Sequence, residues 1–313
     1  MKNNEGMMLA VKVSLICNIV LFTIKAVTLV IVHSLAVAAD LGISAIALCV
    51  SGILYYAIKM SDKPADPFHN YGYGKIENVT EAIEGIVLIG LALAMSVQAM
   101  MHLVRPGEIH SPAIGMIGSF LGVIINFWGA GFIMKLANQS ASPALKAEGL
   151  HFRLEGYISL TITLSFAVVL FLQYTGFLAL SRYVDPIATL IVSAAITIPS
   201  VRLLKEAYMK LLDASIGEES QMDVVKALAH HFERYCDFKQ IRTRSAGRKQ
   251  FVDIHLVMPE HVSVRHAHQI TSALKQDITE TISESEVTVH VEPCDRNCAY
   301  VKNNQPCPYA DHS

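Results

Sequence analysis

Charge is scarce in this sequence: Asp, Glu, Lys and Arg together make up 17% of its 313 residues, against about 25% in an ordinary soluble domain. Hydrophobic residues reach 52% and the mean hydropathy is +0.41, a balance that excludes a purely soluble or disordered chain. An excess of either sign is missing as well. The 25 Lys and Arg nearly cancel the 27 Asp and Glu, leaving a formal charge of −2, so there is no basic patch for nucleic acid and no polybasic lipid anchor. Cysteine is thin and irregular. Six residues, at 17, 49, 236, 294, 298 and 307, form no disulfide framework, and the last three sit in a polar tail that suits a reducing compartment. No Gly-x-Ser-x-Gly and no phosphate-cradling loop gathers the Ser, His and Asp residues, so the reading is not an enzyme.

What is present is apolar and long. Runs over Met7 to Val32, Leu35 to Ile58, Val79 to Leu103, Ala113 to Leu136, Tyr157 to Leu172 and Val184 to Leu204 are each near the ~20 residues that cross hydrocarbon. They predict an all-α bundle of six membrane helices in contact with lipid. The first run has no small-residue cleavage site and carries Lys12 and Lys25, so it reads as a retained span with snorkelling lysines rather than a removed signal. Lys59, Lys63 and Lys75 follow the second run, and Lys135, Lys146 and Arg153 follow the fourth, whereas the loops after the first, third and fifth offer only Arg105 and Arg182. The positive-inside rule then places both termini in the cytoplasm of an integral membrane protein, with a bacterial inner membrane as the expected location.

After Leu204 the apolar runs shorten and charges rise. Glu218 to Tyr235 has helical spacing, Gln240 to Ser245 and Phe251 to Met258 read as strands about a Gly247 turn, Val262 to Ile282 is helical, and Glu286 to Val291 alternates. The order α-β-β-α-β describes a small two-layer cytoplasmic α/β domain. The expected division is residues 1–204 as the membrane domain, 205–293 as a cytoplasmic metal-binding and dimerisation domain, and 294–313 as a Cys-containing tail.

Ionisable groups inside a bilayer are costly unless they pair, line a cavity or meet an ion. Asp40 lies in the second run, and Glu148, His151, Arg153 and Glu155 precede the fifth. His151 and Glu155 are four apart and share a helix face. Imidazole plus carboxylate suits zinc, iron(II) or manganese(II), and the same groups can carry the protons a metal displaces. The competing reading is an interfacial pair solvated at the membrane edge.

Several stretches together resemble one family. They are Ser34-Leu35-Ala36 leading to Ala39-Asp40, the loop from Pro64 through Asp66, His69, Tyr73 and Lys75 to Glu77, the segment Glu148 to Glu155, Asp185-Pro186, and Leu211-Leu212-Asp213. From about Leu9 to Pro293 the chain resembles the cation diffusion facilitators. The resemblance implies a homodimeric efflux carrier that exchanges cytoplasmic divalent metal for protons, with a metallochaperone-like cytoplasmic domain. It also implies a tetrahedral membrane site with two ligands from helix 2 and two from helix 5. Here Ile43 and Ala47 occupy the helix 2 positions, while His151 matches and Glu155 replaces the usual Asp. Half a site remains, which weakens zinc binding because affinity follows ligand count and geometry. Asp40 lies on a face about 60° away by helical arithmetic and is the candidate third ligand.

A second family site falls on Asp66 and His69, with Tyr73 where a His would stand. Tyr is a poor ligand near neutral pH because its pKa is about 10, so this loop reads as structural, turning at Gly72 and Gly74, and the resemblance implies that Lys75 pairs with Asp213. In the cytoplasmic domain the resemblance assigns metal ligation to His255, His290 and Glu292, joined by His268, and puts Lys239 at a further ligand position. His230, His231, His261 and His266 read as partly exposed histidines without a role. Cys294, Cys298 and Cys307, with His312 nearby, lack paired C-x2-C spacing, but tail thiolates can collect soft metals beside His290.

Two functions follow. One is a proton-coupled divalent cation exporter with an incomplete helix 2 half-site. The other is a non-transporting membrane metal sensor, or the partner subunit of a complete carrier. Retained His151 and Glu155 favour the first, and the loss of both helix 2 ligands favours the second.

Overall fold

The structure, a computed structural model, describes residues 2–32, 35–104, 112–282 and 284–295; the side chains of 2–4, 31–40, Ile43, Pro112, Leu178, Ala179, Ser181 and Asp185 are outside that description. It divides into two compact units, Met1–Tyr208 and Met209–Ser313.

The first unit is helical: α1 (Lys2–Val32), α2 (Leu35–Ser61), α3 (Lys75–Val104), α4 (Pro112–Ser140), α5 (Pro143–Tyr174) and α6 (Leu178–Leu211). All six are long and apolar enough to cross a membrane. Their outer faces carry exposed Ile, Leu, Phe and Trp128, as lipid contact requires. Small residues let the helices approach closely. A Cβ on Gly129 would stand 3.0 Å from Phe152, one on Gly149 3.1 Å from Met134, and one on Gly156 3.2 Å from Phe127, so α4 and α5 interlock along their length. Leu88, Ala92, Ala147, Leu154, Ile196 and Leu203 form the apolar contact of α3, α5 and α6.

Two helices extend furthest beyond the apolar runs that announced them. α5 begins at Pro143, fourteen residues before the hydrophobic run. Ser142 caps it by accepting from Leu145 N–H, and Pro143 supplies a preset φ at the first turn. Hydropathy alone hides this start, because Lys146, Glu148, His151 and Arg153 fall in it. α6 continues past Leu204 to Leu211, since Lys205, Glu206 and Lys210 end an apolar run but favour helix.

The second unit holds α7 (Glu218–His230), a 3-10 turn (Phe232–Arg234), β1 (Asp237–Ala246), β2 (Lys249–Met258), α8 (Val264–Thr281) and β3 (Ser285–Pro293), the α-β-β-α-β order read from the sequence. β1 and β2 form an antiparallel hairpin about Gly247 at φ +61°, a conformation glycine adopts freely. β3 returns parallel to β2 through α8, the crossover a parallel pair requires. The strand order is β1-β2-β3. Val252, Ile254, Leu256, Val287 and Val289 face Val224, Leu228, Ile270, Leu274 and Ile278 of the two helices. By strand alternation His255 and His290 stand on the opposite face.

Candidate metal centre

α5 delivers His151 and Glu155 to the interior of the first unit, where they are 3% and 7% exposed, rather than to a solvated edge. They meet as neighbouring turns of one helix should, with His151 Nε2 3.5 Å from Glu155 Oε1. The other ring nitrogen is held by a residue the sequence reading passed over. Glu84 of α3, fully buried, accepts from His151 Nδ1 at 2.9 Å. In the neutral imidazole with Glu84 as acceptor, Nδ1 carries the proton and Nε2 keeps its lone pair. Nε2 is buried and has no hydrogen-bond partner. A carboxylate on one imidazole nitrogen with the lone pair presented on the other is how metal-ligating histidines are oriented.

Glu148, one turn before His151, lies beside Glu84 and joins a polar cluster on α1 and α2. It accepts from Ser51 Oγ at 2.8 Å and from Ser14 Oγ, and Asn18 Nδ2 donates to Ser51 Oγ at 2.6 Å. Glu77 and Glu81 are buried on α3 as well, and Ser142 donates to Glu77. Positions 77, 81 and 84 lie one turn apart on a single helix face, a carboxylate row inside an apolar span that spacing could have flagged. Beyond Glu155 opens a cavity of about 270 Å³, lined also by Lys25, Gln98, His102 and Ser159.

Helix α2 contributes less. Ala47 is buried at 4% exposure and has no ligating atom, and Ser44 is equally buried. Asp40 and Ile43 lie within α2, but their side chains are outside the described residues.

In the loop after α2, Asp66 is spent on the turn itself. Oδ1 accepts from the backbone N–H of Phe68 and His69, and Oδ2 accepts from the Tyr73 hydroxyl at 2.6 Å. That hydroxyl bond, with those from His69 and Phe68, draws the Asp66 carboxyl down to about 2, and the same bond raises the Tyr73 phenol. His69 Nδ1 lies 3.2 Å from Asp66, and its ring centroid lies 4.2 Å from that of Tyr73 at a tilt of 33°. Gly72 takes φ +75° where the chain reverses; Gly74 has no positive φ. Lys75 opens α3 in the first unit, while Asp213 of the second has its carboxylate 3.6 Å from Arg244.

On the open face of the sheet the parallel register sets His255 directly opposite His290, with ring centroids 4.9 Å apart. His255, His290 and Glu292 bring one donor atom each within 4.8 Å of the others. Glu292 Oε1 accepts from His255 Nδ1 at 2.9 Å, and its second oxygen accepts from Lys239 Nζ at 2.9 Å. The His255 bond, then Lys239, lowers the Glu292 carboxyl to about 2, and Glu292 raises the Lys239 ammonium. Lys239 is the bulged residue of β1. His268 does not join this group: it sits exposed on α8, 3.5 Å from Ser272 Oγ. Cys294 is half-buried after β3, and Cys298, Cys307 and His312 lie outside the described residues.

Six apolar helices with ionisable groups sheltered among them, followed by a small α/β unit bearing a histidine cluster, define a membrane protein built to handle ions. Residues 11–212 match the cation efflux transmembrane domain, and residues 217–294 match the cytoplasmic domain of cation efflux proteins. The chain is 24% identical over 250 residues to an uncharacterized transporter of Synechocystis sp., covering 80% of this chain and 78% of that one. It is 25% identical over 237 residues to the cation-efflux pump FieF of Escherichia coli, covering 76% of each. A solved structure of CzrB in a zinc form, 25% identical with a TM-score of 0.24, aligns with 25% of this chain and 90% of its own. The chain belongs to the cation diffusion facilitator family of cation-efflux transporters.

Proposed function

We propose that the protein exports a divalent metal ion from the cytoplasm in exchange for protons, and that His151 and Glu155 take the ion within the membrane. The observation that carries this reading is the state of His151, whose Nε2 is buried without a hydrogen-bond partner and lies 3.5 Å from Glu155. Tetrahedral zinc with bonds of about 2.0–2.2 Å needs donor atoms roughly 3.3–3.5 Å apart, so this pair already spans one edge. Glu84 acts as the orienting carboxylate, Asp40 as the third ligand from α2, and water completes the shell. With so few protein ligands the cargo is held loosely, and zinc, iron(II) and manganese(II) all suit the donor set.

Metal entering this site displaces protons. The neighbouring Glu84 and Glu148 are buried carboxylates able to receive and pass them on. We read residues 1–204 as the carrier, 205–293 as the metal-binding and dimerisation domain of a homodimer, and 294–313 as a tail that collects soft metal through Cys294, Cys298 and Cys307. Both termini are assigned to the cytoplasm of a bacterial inner membrane. A second reading, a sensor or partner subunit of a complete carrier, is favoured by one observation: Ala47, at a helix 2 ligand position, is buried and apolar.

The test is flux in proteoliposomes under a proton gradient. Zinc, iron(II) or manganese(II) should move with the wild-type protein and stop with His151→Ala. Absent flux, or flux untouched by that substitution, would remove the carrier reading and leave the partner-subunit one.

A further inference from the structure

The second unit holds another cluster, away from the open sheet face. His230 ends α7, His231 is its C-cap, and Asp277 lies on α8. Both helices cover the sheet face opposite His255 and His290, so these residues are separated from that cluster by the sheet. His230 Nδ1 is 3.1 Å and His231 Nε2 3.3 Å from the same oxygen, Asp277 Oδ2. One donor atom from each of the three lies within 4.8 Å of the other two.

An ion pair with Asp277 accounts for His230, whose side chain is 76% exposed. His231 shares that ion pair at 3.3 Å but is enclosed. That imidazole is 7% exposed, and neither ring nitrogen makes a hydrogen bond. Buried polar atoms are nearly always partnered. Here one of the two points at a carboxylate oxygen from a distance longer than an ordinary hydrogen bond and equal to the edge of a zinc tetrahedron, roughly 3.3–3.5 Å. Arg234, three residues on, opposes a cation electrostatically, which sets the affinity below that of a site free of positive charge.

We propose that His230, His231 and Asp277 form a divalent-cation site on the helical side of this unit, taking a borderline ion such as zinc through two imidazoles and a carboxylate. The ion would fasten the C-terminal end of α7 to α8. This assignment is independent of transport, and it requires neither the membrane site nor the sheet cluster to bind metal.

The purified full-length chain in detergent, stripped of metal, is titrated with zinc by calorimetry and with cobalt(II) by visible absorption. Asp277→Asn and His230→Ala should each bind one ion fewer per chain than wild type and lose the corresponding part of the four-coordinate cobalt spectrum. His290→Ala should leave that component in place. His230 is exposed, so its substitution tests ligation without opening the core. If Asp277→Asn and His230→Ala bind as many ions as wild type, with an unchanged cobalt spectrum, the site does not exist.

Discussion

Exchanging Glu84 for Gln isolates what the α3 carboxylate does for His151. Gln has the same length and keeps a carbonyl oxygen able to accept from Nδ1–H, so the 2.9 Å contact and the ring orientation survive. What disappears is the negative charge that strengthens the imidazole as a donor to metal. Loss of a carboxylate behind a ligating histidine weakens metal affinity by about 10–100-fold, equivalent to about 1.4–2.7 kcal/mol. Both partners are almost fully enclosed, with side chains 4% and 0% exposed, so solvent screens little of this effect and the upper half of the range is expected. The assay is metal uptake by proteoliposomes as a function of external ion, which separates the half-saturating concentration from the maximal rate. Half-saturation should rise by at least about 30-fold. Glu84→Ala should be worse, because it also leaves Nδ1 buried without an acceptor. Half-saturation and maximal rate both equal to wild type in Glu84→Gln would refute the orienting role, with elution as a single species as the check on folding.

Ala47→Asp places a carboxylate at the position where the family resemblance expects a ligand, and it should lower the half-saturating zinc concentration; an unchanged or higher value would mean that α2 does not face the ion. Lys239→Gln frees the second oxygen of Glu292 and should tighten zinc binding at the sheet cluster several-fold by calorimetry, with His290→Ala abolishing that heat; identical heats for wild type and His290→Ala would dismiss the cluster. The metal-free second unit should lose stability as pH falls. Burial, then Arg234, holds the His231 imidazole below its ordinary value, and the hydrogen bond from His230 holds the Asp277 carboxyl down. Unfolded chains therefore take protons first, and stability should decline below about pH 6.5 and again below about pH 4. Thermal unfolding followed between pH 8 and pH 3 checks this, and a melting temperature that rose below pH 6 would contradict the assigned sign.

Much of the architecture is written in periodicity. Six apolar runs and an alternation of helical and strand spacing were enough for the helix count and for the α-β-β-α-β unit, because burial against lipid or against one face of a sheet leaves a regular mark. The membrane pair was legible for a related reason: His151 and Glu155 are costly in oil and stand one turn apart. Glu84 was harder to place: its contact with His151 spans 67 residues of sequence, and the row it forms with Glu77 and Glu81 marks a polar helix face without saying what that face meets. The beginning of α5 was obscured by its own polar groups, whose charges end a hydropathy window without ending a helix. His231 was hidden in the opposite way. In a polar stretch beside another histidine it carries the signature of a surface residue, and only the packing of α7 on α8 encloses it.

The seam between α4 and α5 bears on how such a carrier can change shape. With Gly129 against Phe152, Gly149 against Met134 and Gly156 against Phe127, the two helices pack so closely that they have no room for a larger residue at these glycines. The helix that bears His151 and Glu155 is thereby held against α4, while the carboxylate on His151 belongs to α3. In the proposed carrier, a shift of this α4–α5 pair against α3 would part Glu84 from the imidazole, and a change of shape would also change the hold on the ion.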